Sequence, residues 1–301
     1  MSDFAAESVS LVQARLDRRR FLRQAGALGF TAVAATGVVS SAAAFAESPA
    51  SKQATQQAKD TVKEIFTAAL IAEDLATTFY YNALVGPVIQ DPNLSGPGGT
   101  ATNVTAAGNF GNVAYIRAAL SEEIAHANLF RSLLGIPSSA SDPVQTFYFP
   151  AGTFETLGNF TGLLDALENA FIGAYLNAIQ EFAAKSAALR ERNEESHRDD
   201  DSEKRYTVAQ LDYFAKVAGS IMGIECEHRV LGRVISNSNP ANNLNYEQTD
   251  GLNAVYNGPN SAVAALTPFL TPSTGSGYSL AFALANQASV SEPVSGGPPA
   301  M

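Results

Sequence analysis

Two nine-residue stretches of this chain, Glu123–Arg131 (EIAHANLFR) and Glu225–Arg233 (ECEHRVLGR), share the pattern E-x-x-H-x-x-x-x-R. Residues three apart on a helix lie on one face, so each stretch sets a carboxylate beside an imidazole. That face continues through Ala119, Leu120, Phe130 and Leu133 in the first stretch, and through Val217, Ile221 and Met222 in the second. Both pairs are therefore expected to enter an apolar helical core, and the fold must bring them together in a way that offsets their charge.

A second matching pair alternates with the first. EDLATTFYYNAL from Glu73 and ENAFIGAYLNAI from Glu168 share E-x-x-x-x-x-x-Y-x-N-A, so Glu73 and Tyr80 lie two turns apart on one helix face, as do Glu168 and Tyr175. Glu73 precedes Glu123 by 50 residues and Glu168 precedes Glu225 by 57. The chain thus reads as helix pair, crossover, helix pair. An internal duplication would produce that order, and a pseudo-twofold site would follow from it.

The punctuation between these segments agrees. Residues 53–85 lack Gly and Pro, carry apolar residues at helical spacing, and end at Gly86-Pro87. A Gly-, Pro-, Asn- and Thr-rich loop precedes a second helix at 113–134, with Asn112 as N-cap, Gly135 at the C-terminus and Pro137 beyond. A long irregular connection follows, in which TFYFP is the most strand-like piece, before a third helix at 161–190. The charged run RERNEESHRDDDSEKR has no apolar face and reads as a solvated helix end plus loop, which makes His197 a surface residue. Thr207 and Gln210 form a capping box that opens a fourth helix, and SNSNP stops it after Ile235. The remaining segment, rich in Asn, Gly, Pro and Ser, holds one short helical candidate, SAVAAL, and is expected to wrap the bundle or be partly disordered. The expected fold is all-α: a four-helix bundle with one long crossover connection over residues 47–236, followed by an irregular C-terminal extension at 237–301. A less regular helical domain is the alternative.

Residues 1–46 read as an export signal. A basic cluster (Arg18, Arg19, Arg20, Arg23) precedes an apolar run, Ala25 to Val39, that ends near AFA before Glu47. The run is short and rich in Gly and Ala, so an uncleaved anchor is the weaker reading. The order R-R-x-F-L-R resembles a twin-arginine signal, with Asp17 where Ser or Thr is usual. That resemblance implies the export machinery as a partner, folding before transport, and a periplasmic or extracellular destination. Cleavage would shift the formal net charge from −10 to −12, a surface that repels phosphate backbones and argues against nucleic acid as the main partner. The single cysteine, Cys226, cannot form an intramolecular disulfide and reads as a small helix residue.

Four glutamates and two histidines inside one bundle need counter-charge. Buried carboxylates repel one another and would protonate or destabilise the fold, whereas two divalent cations would offset four glutamates. A mostly oxygen donor set with one imidazole per metal suits iron or manganese. The set Glu73, Glu123-x-x-His126, Glu168, Glu225-x-x-His228 resembles, in order and by helix, the di-iron carboxylate pattern of the ferritin-like superfamily. The export signal, the long inserts and the Y-x-N-A segments look most like its exported, desiccation-associated branch. The resemblance covers roughly residues 55–236.

Two neighbours compete for the ligand role. Glu122 lies four residues before His126, also a same-face spacing, but only Glu123 makes the two motifs agree; Glu227 adjoins His228 and faces elsewhere. Tyr80 and Tyr175 either sit beside the metals and bond their ligands or are core aromatics with a satisfied hydroxyl. Arg131 and Arg233 are expected to complement the helix dipoles, with pairing to a Glu as second choice. The resemblance implies two iron (or manganese) ions reacting with oxygen or peroxide, by ferrous oxidation or peroxide disposal. Metals that merely staple a stress-protection protein are the alternative, and iron storage comes third. Oligomerisation stays open.

Overall fold

The computed structural model describes residues 60–91, 94, 112–195, 206–238, 241, 252–272 and 275–291. The export signal, the expected first turns of helix one, and His197 with most of its charged run lie outside the described residues.

Four long helices carry the fold: α1 Val62–Val85, α2 Asn112–Leu134, α3 Leu157–Glu195 and α4 Val208–Ile235. α1 begins where Thr61 closes a capping box: Glu64 N–H donates to Thr61 Oγ1 (3.1 Å) and Thr61 N–H to Glu64 Oε2 (2.8 Å). α2 starts with Asn112 already helical, one residue earlier than its expected capping role. It ends in a Schellman motif: Gly135 takes φ +68°, Ile136 N–H bonds Arg131 O, and Gly135 N–H bonds Ser132 O. α3 is longer than expected at both ends. Thr156 supplies the earlier cap, its Oγ1 accepting from Asn159 N–H at 3.2 Å. Gly158 and Asn159 had disguised this start as loop. In α4 the Thr207–Gln210 capping box forms as anticipated.

α1 packs most extensively on α2, and α3 on α4. Gly232 allows close packing within the second pair, because a Cβ there would meet Leu164 Cδ2 at 2.8 Å. Side chains of α1 and α3 meet as Glu73 with Tyr175 and Tyr80 with Glu168, so these two helices run antiparallel.

TFYF in the crossover is a strand. β1 (Thr146–Phe149) pairs antiparallel with β2 (Ser276–Ser279), register Thr146 opposite Ser279. Phe147 and Phe149 point into the core on alternate positions, while SGYS lacks the apolar alternation that would have announced its partner. SAVAAL forms α5 (Ala262–Leu266), capped by Ser261, and Leu280–Asn286 forms α6 against α1. The buried Asp60 carboxylate, just before α1, accepts the backbone N–H groups of Val255, Tyr256 and Asn257 at 2.7–2.9 Å and fastens the extension to the bundle. No described helix is long and apolar enough to cross a membrane.

The core has two apolar parts. Phe79, Phe149, Phe154 and Phe160 cluster near the sheet, with Phe79 and Phe160 stacked at 4.7 Å between centroids. Phe66, Phe130, Phe182 and Phe214 cluster at the end where α1 begins. On α1, Glu73 lies between Phe66 and Phe79, so the charged layer is sandwiched between aromatic clusters.

Candidate metal centre

The structure brings all six expected residues together. Glu73, Glu123, His126 and Glu225 form one group, and Glu123, Glu168, Glu225 and His228 another, each with donor atoms within 4.8 Å of one another. Glu123 and Glu225 belong to both groups, which suits them to bridge two ions; Glu73 with His126 and Glu168 with His228 hold the outer positions. The four glutamates are at most 2 % exposed, and each comes from a different helix.

Both Nδ1 atoms face inward. His126 Nδ1 lies 3.2 Å from Glu73 Oε2 and 3.6 Å from Glu225 Oε1. His228 Nδ1 lies 3.0 Å from Glu123 Oε1 and 3.4 Å from Glu225 Oε2, yet makes no hydrogen bond with either. Both oxygens of Glu123 and of Glu225, and Oε2 of Glu168, likewise lack a hydrogen-bond partner. Buried acceptors left without donors are costly, and so many converging at one point fit cations better than protein donors. Carboxylate oxygens with one imidazole on each side make a set that iron or manganese would accept.

The same crowding perturbs titration. Burial raises Glu123, helped by the Glu73 charge, and burial with the Glu225 charge raises Glu168 well above the usual carboxylate range. Burial alone would lower both histidines, but Glu73 beside His126 and Glu123 beside His228 outweigh it and hold them well above normal. Without metal, this layer therefore holds protons that arriving cations would displace.

The tyrosines cross over between halves. Tyr80 donates to Glu168 Oε1 at 2.6 Å, and Tyr175 donates to Glu73 Oε1. Each phenol on α1 or α3 thus fixes one oxygen of the opposite helix's glutamate. Burial, then the glutamate charge, raises both phenols well above normal, so they remain donors.

Glu122 points at the partner motif's histidine: its Oε2 lies 2.8 Å from His228 Nε2, on the side away from the cluster. A carboxylate there fixes the imidazole's tautomer and aims Nδ1 inward. Glu227 is exposed, as its position implied.

The expectation for Arg131 needs correction. It is buried and donates from Nε to Asp142 Oδ2 (2.8 Å), from Nη1 to Asn128 Oδ1 (2.9 Å) and from Nη2 to Asp74 Oδ1, so its main role is to neutralise two aspartates. Asp74 follows Glu73, and burial together with the Asp142 charge raises it well above the usual range despite Arg131. Adjacency to Glu73 could have flagged Asp74; nothing in the irregular crossover flagged Asp142. Arg233 bonds Asp165 Oδ1 at 2.9 Å near the surface.

Compared with known families, residues 61–190 match the model described as a ferritin-like domain. No curated protein and no solved structure matches the chain. The matched residues span α1 to most of α3; Glu225 and His228, on α4, lie beyond them and join the cluster by geometry.

Proposed function

From the premise of a ferritin-like domain, we propose that this protein binds two iron or manganese ions through Glu73, Glu123, His126, Glu168, Glu225 and His228 and reacts with oxygen or peroxide outside the cytoplasm. The observation that carries the reading is the inward set of buried donor atoms without hydrogen-bond partners on α2, α3 and α4, inside a cluster to which all four helices contribute. The basic cluster, apolar run and AFA of the N-terminus support export.

Held by these six residues, a pair of ferrous ions would supply the two electrons that reduction of oxygen to hydrogen peroxide requires. The chain's own contribution is positional. Glu123 and Glu225 reach both sides, and the tyrosine hydroxyls hold Glu73 and Glu168 each by one oxygen, leaving the second free of the tyrosine. Glu122 keeps His228 aimed inward. The flanking aromatic clusters exclude bulk water, so charge interactions within the layer are weakly screened.

The test is to measure iron and manganese per purified mature chain, then ferrous oxidation and peroxide loss. About two ions per chain supports the site, and none from a folded chain under metal-replete conditions overturns it. The cluster also ties all four helices together, which favours a second reading in which metals staple a stress-protection protein. A metal-loaded chain inert to both oxidants would favour that one.

A further inference from the structure

Beside the charged layer lies an apolar cavity of about 30 Å³ between α1 and α3. Ala69 and Ala72 form one wall and Ala174 and Tyr175 the other, and Val255 and Leu266 of the C-terminal extension close it. Small residues at these positions keep the walls apart where larger ones would meet. Tyr175 links the cavity to the cluster: its ring lines the wall, and its hydroxyl donates to Glu73.

The lining decides what can enter. Water needs two to four polar partners to be stable in a cavity, and the one side-chain polar group on this wall, the Tyr175 hydroxyl, is already committed to Glu73. Apolar cavities of this sort stay dry and take up small apolar molecules. The free volume fits about one or two molecules of water size, which excludes a long apolar chain. Hydrogen peroxide, with two donors and four lone pairs, would lose its hydrogen bonds here.

We infer that this cavity is a binding site for dioxygen, or a molecule of its size and lack of polarity, placed next to the Glu73–His126 half of the cluster. Its purpose rests on the oxidant-reactive reading above; its occupancy does not. A polar oxidant such as peroxide would instead meet the cluster at its partly exposed edge, His126, whose side chain is 13 % exposed.

Crystals of the metal-free full chain under xenon pressure test the occupancy. Xenon density between Ala69 and Ala174 is expected; no xenon there, or ordered water in its place, overturns the inference. Ala69→Val narrows the cavity without replacing a cluster residue, and Ala178→Val, on the same lining, is a second variant should the first fail to fold. In ferrous-loaded protein with unchanged metal content, the narrowed variant is expected to react with oxygen roughly tenfold more slowly. Its reaction with peroxide is expected to stay at the wild-type rate. Unchanged oxygen kinetics, or equal losses with both oxidants, overturns the feeding role. Xenon bound in a wild-type chain that is inert to oxygen supports the site and removes only the redox reading.

Discussion

The two halves of the cluster have the same donors and different surroundings. In the Glu168–His228 half, the histidine side chain is 3 % exposed and held from behind by Glu122. In the Glu73–His126 half, the histidine is 13 % exposed, and the position corresponding to Glu122 in the other motif is Ile224. The residue after each outer glutamate also differs: Asp74 pairs with buried Arg131, whereas Asn169 accepts from Arg229. A duplicated ligand pattern has thus kept its symmetry where metals would bind and lost it one layer out. One half is closed and backed by Glu122, and the other is partly exposed at His126 and lies beside the apolar cavity through Tyr175.

The largest expected effect tests the shared centre on which the comparison rests. Glu123→Ala removes a carboxylate common to both groups, so metal content should fall from about two per chain to nearly none, whereas Glu73→Ala or Glu168→Ala should each leave about one. Elemental analysis of the three folded variants decides it; retention of both ions in Glu123→Ala would overturn the bridging assignment.

Next come the two arginines, which occupy matching motif positions. Arg131→Ala strands Asp74 and Asp142 in the interior, a loss of about 3–5 kcal/mol. Arg233→Ala breaks a pair whose Asp165 side chain is 39 % exposed, and should cost about 1 kcal/mol or less. Denaturant unfolding of the two metal-free variants reads the difference directly. Equal losses would mean that burial does not set the value of these pairs.

A smaller effect isolates the histidine behind its carboxylate. Glu122→Leu should weaken the tighter of two metal affinities by roughly 10–100-fold and leave the weaker one alone. A competition titration that resolves two sites would show it. Loss spread evenly across both sites would contradict the assignment of Glu122 to one half.

Legibility from sequence follows the same division. Helix period placed Glu73, Glu123, His126, Glu168, Glu225 and His228 correctly on inward faces, because a core-facing stripe on a long helix is a local property. The choice of Glu123 over Glu122 also came from pattern, and the structure gives both a place by turning Glu122 toward the opposite motif. Arg131 was misread as a dipole partner because Asp74 and Asp142 approach it only after α1, α2 and the crossover have packed. Strand β2 and its pairing were illegible for a similar reason: SGYS pairs through backbone groups, which every residue has, and its partner lies 130 residues earlier.

The smallest effect sharpens the comparison by testing a titrating group away from both halves. Glu181, on α3, accepts the Asp60 backbone N–H at 2.9 Å, and Asp60 in turn holds the extension at Val255–Asn257. Burial, with the nearby Asp60 charge, raises Glu181 to about 7, against the opposing pull of the Asp60 N–H and Lys185. An acid whose native pKa lies above its unfolded value binds its proton more firmly when folded. Its stabilising contribution is complete below the unfolded pKa and is lost as pH rises through about 7. Metal-loaded wild-type protein should therefore lose Tm between about pH 5 and pH 8, and Glu181→Gln, which keeps the acceptor and removes the charge, should lose less. Amide-exchange protection at Val255, Tyr256 and Asn257, relative to the intrinsic rate at each pH, should fall over the same range in wild type only. Identical Tm slopes in the two proteins would place the pH sensitivity back in the metal layer rather than at this clamp.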